Sequence, residues 1–435
     1  MSPRSEKPRL DPTERLLHRF YEPLVLLRIL NAGRGAGEVE LPPDTRSQTF
    51  DLRWRSFLDD LAWLADDMHG GPSVSAVAAQ SLPRGNIFWL VTRSARSVEH
   101  LQRILAELKS VPDRPTPEII SVAEQLAKES ITFSKDKIKH YARLLSINIR
   151  KARSTLQTED GYEALLQGLG GLDNHYETHF ELCDAARRFP HHGMLSRLIQ
   201  SNSSIDTNSP WSTVRHYVGR LACWFNKCHR LVLTARQYPQ LLENATVQFL
   251  ALPTPSRLPC SDAKTNLESA LRRMLPADQH HRLTAIYDGL KLLRTFFIED
   301  AFAENLSDDK LKTAVHAEVF LMEHFYFNNF AFVGHERYIG CSKPSCYCCS
   351  LYTRYHPGNY LLRPAHNNAY VTWCPPLLSR LDQQKERKHN LDIMNQMNAY
   401  IRRDVMLEIE WRVLRRERNS DSTTGLGPIS SQPEF

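Results

Sequence analysis

The sequence predicts a mainly α-helical N-terminal region followed by an α/β domain on the C-terminal side. Apolar residues recur at helical spacing through residues 11–240, and strand-type runs become frequent only after Tyr238. Between His316 and Trp373 the pattern alternates helix, strand, helix and strand, which indicates an α/β layer arrangement. With 435 residues, 42% hydrophobic and 24% charged, the composition is that of a globular protein with two or three domains.

The N-terminal region contains a series of long segments with apolar residues at i, i+3 and i+4, separated by breakers such as PDRPTP and NSSIDTNSP. One run, NIFWLVTR at 86–93, is instead predicted as a strand. The predicted helical segments are ERLLHRFYEPLVLLRILN, FDLRWRSFLDDLAWLADDM, VEHLQRILAELKSV, EIISVAEQLAKES, DKIKHYARLLSINIRKARSTL and STVRHYVGRLACWFNKCHRLVLTARQ.

The C-terminal domain begins with the predicted strand NATVQFLALP and the predicted helix LTAIYDGLKLLRTFFIEDAF. A helix should then open at His316, followed by the β-type run RYIGC and a second short helix opening at Cys346. The late run LDIMNQMNAYIRRDVMLEIEWRVLRRER mixes arginines with glutamates, so we interpret it as a packed amphipathic helix with a solvated face. The predicted ranges are 1–10 disordered, 11–240 helical, 241–417 α/β with its C-terminal helix, and 418–435 a disordered tail.

The N-terminal residues MSPRSEKPRLDPTERLL mix charge with proline, unlike an export signal, and no run of about 18 apolar residues occurs. Nine cysteines in such a chain argue for reduced thiols rather than a disulfide scaffold. We therefore expect an intracellular protein, cytoplasmic or nuclear, that does not bind membranes. The formal charge of +6 is compatible with nucleic-acid contact, but over this length it fits any soluble protein equally well.

A zinc site is predicted from His316, Cys346 and Cys349. Zinc takes neutral imidazole and thiolate ligands, and a catalytic zinc keeps only three protein ligands. Residues three apart share a face of a helix, whereas residues two apart point nearly opposite ways. We therefore expect Cys349 to join Cys346 at the metal and Cys348 to face away. The positive end of that helix also favours the thiolate form of cysteine.

Glu318 is the predicted proton shuttle of this site. Because it lies two residues after His316, the two side chains can converge only if His316 lies at or just before the first helical turn. The sequence therefore predicts a helix N-terminus that points at the metal. A hydrolytic site needs a group that takes a proton from water and returns it to the leaving group, and a glutamate can do both.

Two weaker motifs have structural interpretations. His175 to Glu177 form another H-x-E triplet, followed by His179, but Glu177 would point away from that histidine pair and no cysteine is near. A CxxC alone could be a redox pair, yet this one lacks the preceding strand of a thioredoxin-like unit and contains a third thiol.

The H-x-E triplet at 316–318, combined with Cys346 and Cys349, resembles the motif of the zinc-dependent cytidine deaminase-like superfamily. The segment YIGCSKPSCYCC, together with the later His366 and Trp373, is similar to the sequences of an uncharacterised deaminase-like family common in fungi. The resemblance covers residues 314–376. It implies a three-layer α/β/α domain in which both metal-binding helices present their N-termini to zinc beneath a central sheet.

This chain departs from the superfamily pattern in two places. Pro344 stands two residues before Cys346, whereas the common motif has proline directly before the first cysteine. The superfamily fold also starts with a β-hairpin before the H-x-E helix, and in the predicted α/β domain NATVQFLALP is the only convincing strand candidate before His316.

The resemblance implies hydrolytic deamination of a nucleobase, with zinc as the cofactor and Glu318 as the shuttle. The substrate stays open between free nucleoside, nucleotide, RNA and single-stranded DNA. Lys343 is a candidate phosphate contact, His366 a candidate group over the pocket, and Tyr347 a candidate aromatic wall. The helical N-terminal region could recruit a protein partner or cover the pocket.

The alternative interpretation is a non-catalytic zinc module of an interaction or scaffold protein. Cys341 or Cys348 would then close the fourth coordination position of the metal. A closed site has no use for Glu318.

Overall fold

The computed structural model describes residues 12–30, 48–70, 74–154, 162–175, 177–201, 209–257, 264–292, 297–307, 312–376 and 384–420. The predicted disordered start, 1–10, lies outside these ranges. Of the predicted tail, 418–420 belong to the last helix and the remainder lies outside the described residues.

The first part of the chain is helical around one β-hairpin. Its elements are α1 (Pro12–Leu30), α2 (Gln48–Leu64), β1 (Ala76–Leu82), β2 (Gly85–Thr92), α3 (Arg96–Lys109), α4 (Thr116–Phe133), α5 (Lys135–Arg153), α6 (Glu163–Asn174), α7 (His179–Arg187), α8 (His192–Ser201) and α9 (Pro210–Gln237). Each of the helical segments predicted here contains a helix, and β2 confirms the predicted strand NIFWLVTR.

The second part alternates short strands with helices. Its elements are β3 (Thr246–Ala251), β4 (Ser256–Arg257), α10 (Leu267–Met274), α11 (Leu283–Leu292), α12 (Ile298–Ser307), β5 (Lys312–Val315), α13 (Ala317–Phe327), β6 (Gly340–Cys341), α14 (Tyr347–Tyr355), β7 (Trp373–Cys374) and α15 (Gln384–Ser420). Strand β3 confirms the prediction for NATVQFLALP. The segment LTAIYDGLKLLRTFFIEDAF contains two described helices, α11, which packs against α15, and α12, which packs against α1.

A four-stranded sheet has the order β3-β2-β1-β6. Strands β1 and β2 form an antiparallel hairpin, β3 runs parallel to β2, and β6 pairs antiparallel with β1. A second, smaller sheet has the order β4-β5-β7. The predicted ranges 11–240 and 241–417 both contribute strands to the larger sheet, and their boundary near residue 240 stays a prediction.

Both faces of β1 are covered by apolar cores. Val77 and Ala79 lie in the core formed with α2 to α9, whereas Ala76 and Ala78 face the core formed with α1 and α13 to α15. This alternation follows from the two-residue period of a strand. The sheet therefore separates the helical region from the helices that carry the predicted metal ligands.

Helix α1 packs along α15, although it lies at the other end of the chain. The Tyr21 hydroxyl donates to the carbonyl of Trp373 at 2.7 Å, and Arg412 on α15 donates to the carbonyl of Leu30. None of the helices in the described ranges is both long and apolar enough to cross a membrane.

Gly340 is where β6 passes the backbone of α2. A Cβ atom at this position would meet the carbonyl carbon of Leu58 at 2.4 Å. We expect Gly340→Ala to lower the free energy of unfolding by about 1–3 kcal/mol, near the upper end because helix backbone cannot move aside as a side chain can. Chemical denaturation measures this change.

The matched control is Gly171→Ala within α6. No heavy atom lies within 4 Å of a Cβ built at Gly171. That substitution should stabilise the protein by about 0.5–1 kcal/mol, because alanine restricts the unfolded chain and favours helix. Equal effects at the two glycines would contradict the close approach of β6 to α2.

Candidate metal centre

His316 lies between β5 and α13, in the position that the spacing predicts. It is the N-cap of α13, with extended backbone angles of φ −82° and ψ 145°, so its ring lies just before the first helical turn. Glu318 follows in that first turn and is buried. The two residues can converge because only the second of them is helical.

Cys346 occupies the matching position on α14. It is the N-cap of that helix, and its Sγ accepts the backbone N–H of Cys349 at 3.4 Å. Cys349 lies one turn into the helix on the same face. Cys348 is also buried but does not belong to the group of converging donor atoms.

The donor atoms of His316, Cys346 and Cys349 converge at the two helix N-termini. His316 Nδ1 lies 3.6 Å from Cys346 Sγ and 3.3 Å from Cys349 Sγ. Tetrahedral zinc, with Zn–S near 2.3 Å and Zn–N near 2.1 Å, places such atoms roughly 3.6 Å apart. These three residues could therefore hold a metal ion.

The electrostatics of the group favour a thiolate at Cys346. Burial alone would raise the pKa of Cys346, but hydrogen bonds from Cys349 and contact with the His316 ring hold that pKa well below its usual range. Burial alone would lower the pKa of the His316 imidazole, because it disfavours the charged ring. The Cys346 thiolate and the Glu318 carboxylate outweigh this effect and raise that pKa to about 9. A metal bound here would displace the proton from the imidazole, because ligation needs the neutral ring.

Glu318 is 3% exposed and lies beside the donor group. Its Oε1 is 4.0 Å from His316 Nδ1, and its Oε2 is 3.9 Å from Cys341 Sγ. Burial and the neighbouring carboxylate raise the pKa of the Cys341 thiol well above its usual range, so Cys341 remains a neutral donor to Glu318. The carboxylate is thus held next to the place that a metal would occupy.

Aromatic side chains surround the group. The indole N–H of Trp373 donates to Cys349 Sγ at 3.3 Å. Burial and the neighbouring Cys346 thiolate raise the pKa of the Cys349 thiol well above its usual range, so a bound metal would have to displace its proton. The ring of Tyr370 lies 6.3 Å from that of His316, and His366 meets Tyr370 edge-on at 5.7 Å. In the sequence Trp373 belongs to the family resemblance, but its bond to Cys349 could not be predicted, since a bond between residues 24 apart leaves no periodic signal.

Of the three residues predicted to contact substrate, only His366 lies near the donor group. His366 lies one aromatic ring away from His316, and its Nδ1 accepts the backbone N–H of Asn368. Lys343 instead donates to the carbonyl of Gly70, and Tyr347 donates to Asp404 on α15 at 2.8 Å. The structure does not bring these last two into the donor group.

Glu323, His356 and His389 form a second group whose donor atoms lie close together. His356 Nε2 and His389 Nε2 are 3.2 and 3.1 Å from Glu323 Oε1. The backbone N–H of Gly358 donates to His356 Nδ1, so the proton of a neutral His356 ring lies on Nε2 and faces the carboxylate. Glu323 thus joins α13 to the end of α14 and to α15 through two histidines.

The other H-x-E triplet lies between α6 and α7. His175 caps the end of α6 and His179 opens α7, while Tyr176 lies outside the described residues. Neither histidine belongs to a group of donor atoms in the described part of the chain.

Comparison with known proteins agrees with the location of the centre. The model of the OTT_1508-like deaminase family matches residues 315–377, which include His316, Glu318, Cys346 and Cys349. No curated protein and no solved structure matches the chain. The C-terminal side of this helix-rich protein therefore contains a deaminase-like domain at 315–377.

Proposed function

We propose that the protein is a zinc-dependent hydrolytic deaminase that acts on a nucleobase, either free or within a nucleic acid. One observation carries the proposal. A buried carboxylate, Glu318, adjoins a set of three metal-binding side chains at two helix N-termini, inside the segment that matches a deaminase family. An open coordination position beside a carboxylate is the arrangement that hydrolysis requires.

His316, Cys346 and Cys349 would hold the metal. Zinc with three protein ligands supplies Lewis-acid activation of water. Glu318 takes a proton from the attacking water and returns it to the departing amine, so one residue serves both transfers. The S–H of Cys341 and the burial of Glu318 fix this carboxylate in place.

The surroundings support a flat, aromatic substrate. Tyr370 lies within van der Waals reach of a group bound next to His316, and His366 continues the same aromatic wall. Deaminases hold the base between aromatic or apolar side chains. The arrangement of hairpin, β6 and α13 on one sheet is also compatible with a layered deaminase fold, in which β1 and β2 supply the first hairpin.

The position of the other thiols favours the enzyme over a closed zinc module. Among the residues that the structure describes, neither Cys341 nor Cys348 joins the group formed by His316, Cys346 and Cys349. Cys341 is directed to Glu318 instead. The proposed site therefore keeps one position for water.

X-ray absorption of the zinc-loaded protein tests this proposal. We expect two sulfur ligands, one nitrogen ligand and one oxygen ligand, in agreement with the three side chains and a water. Four sulfur or nitrogen ligands would establish the scaffold interpretation instead. Ammonia release across a panel of nucleosides, nucleotides, RNA and single-stranded DNA then identifies the substrate class.

A further inference from the structure

A cavity of about 310 Å³ lies between α2, α9 and the loop that joins β6 to α14. Three cationic side chains line it: Arg220 and Lys227 from α9, and Arg363 from the chain after α14. Within the described ranges, no aspartate or glutamate contributes to its wall. The cavity is therefore positively charged on several sides.

The carboxylates beneath this cavity are shared among several cations. Asp60 accepts from Lys227 at 2.6 Å and also from Arg230. Arg363 lies 3.4 Å from Asp59. Lys227 and Arg363 thus each have a carboxylate partner, but Asp60 is shared with a second cation.

Arg220 adds a further charge. It makes no ion pair with any residue in the part of the chain that the structure describes, although its side chain is half-buried. Burial lowers the pKa of neighbouring Lys343; the Asp66 carboxylate opposes this shift and the charge of Arg220 adds to it. Cations held this close to one another are stabilised when an anion comes between them.

We propose that this cavity binds a small phosphorylated anion, as a site separate from the metal centre. Guanidinium groups present a planar fork of donors that matches phosphate oxygens, and Arg220 and Arg363 offer two such forks. The volume lies at the lower end of the range for small-molecule sites, which fits an oligophosphate or a nucleoside diphosphate rather than a polymer.

The anion would also stabilise the loop that leads to the metal centre. Pro344 lines the cavity and stands two residues before Cys346. Ser345 follows Pro344, and its Oγ donates to the carbonyl of Arg363 at 2.9 Å. The loop before Cys346 is therefore bonded to a residue of the cationic wall. Binding in the cavity is therefore coupled to the position of one metal ligand.

Calorimetric titration of the full chain with inorganic pyrophosphate, at low ionic strength, tests the proposal. We expect saturable binding that Arg220→Gln weakens at least about tenfold, because this charge has no competing partner among the described residues. Arg215→Gln, an exposed arginine on the same helix, should leave the affinity unchanged. A parallel titration with ADP separates the two sources of phosphate: tighter binding of ADP identifies a nucleotide site, and preference for pyrophosphate an inorganic one.

Gly219 provides a second test that does not remove any existing contact. It lines the cavity, and no heavy atom lies within 4 Å of a Cβ built on it. Gly219→Gln and Gly219→Glu add side chains of equal size, so the difference between them reports charge alone. We expect the glutamine variant to bind within about threefold of the parent and the glutamate variant at least about tenfold more weakly.

Two results would overturn the proposal. One is that pyrophosphate shows no saturable binding beyond the signal that sodium chloride of equal ionic strength produces. The other is equal affinity of the two Gly219 variants, each shown by its melting temperature to be folded. Because the titration needs neither metal nor turnover, its outcome is independent of the deaminase assignment.

Discussion

Glu318→Gln should retain the fold and bind zinc, yet lose turnover by about 10⁴-fold or more. General acid and base assistance is typically worth about 10²- to 10⁴-fold, and Glu318 is proposed to handle both proton transfers. Glutamine keeps the size and polarity of the side chain but cannot accept and return a proton. Ammonia release, measured together with zinc content and melting temperature, gives the result.

Glu336→Gln serves as a matched control for this experiment. Glu336 is a partly exposed carboxylate in an ion pair with Arg55, away from the donor group. Its substitution should leave turnover within a few-fold of the parent, because neither Glu336 nor Arg55 belongs to the donor group. Activity of the Glu318→Gln protein within a few-fold of the parent would remove the chemical basis of the deaminase assignment.

Cys349→Ser should lose the zinc, whereas Cys348→Ser should retain it. Cys349 Sγ lies 3.3 Å from His316 Nδ1, while Cys348 is buried outside the donor group. The serine hydroxyl is a much weaker zinc ligand than a thiolate. Metal analysis after gel filtration measures the difference.

The variant that loses zinc, Cys349→Ser, should also be the less stable of the two. A metal that joins α13 to α14 contributes folding energy directly, so Cys349→Ser should also lower the melting temperature of the zinc-loaded protein. The Cys348→Ser variant is the control for the loss of a buried thiol at the same helix. Equal zinc loss in both variants would show that the assignment of helix faces is incorrect.

The geometry of the centre could be predicted because it depends on local spacing. The positions of His316 and Cys346 at two helix N-termini follow from the angle between neighbouring residues on a helix, and the structure confirms both starts. The same reasoning separates Cys348 from Cys349. Neither inference required knowledge of any distant part of the chain.

The hairpin could not be predicted in full, because β1 has no polar face. Its first five residues, Ala76 to Gln80, are buried on both sides of the sheet, so the alternation typical of a half-exposed strand is absent. Only β2, which has a mixture of buried and half-buried positions, left a recognisable pattern.

Long-range partners are the other feature that sequence reasoning missed. Lys343 and Tyr347 were candidates for substrate contact, but Gly70 and Asp404 bind them from distant segments. The contact of Tyr21 with Trp373 spans 352 positions and has no counterpart in local spacing. Such partners are determined by tertiary packing alone.

The pairing of β1 with β6 has a consequence for synthesis of the protein. Ser75 and Ser342, at the edge of this pairing, lie 267 positions apart and exchange hydrogen bonds. During synthesis, one edge of the β1–β2 hairpin therefore stays unpaired until residue 341 has left the ribosome. Contacts of such large sequence separation slow folding and leave strand edges exposed to aggregation. A fragment limited to residues 315–377 would lack β1, the strand that pairs with β6. Recombinant work on the centre therefore needs the whole chain, and expression should benefit from added chaperones.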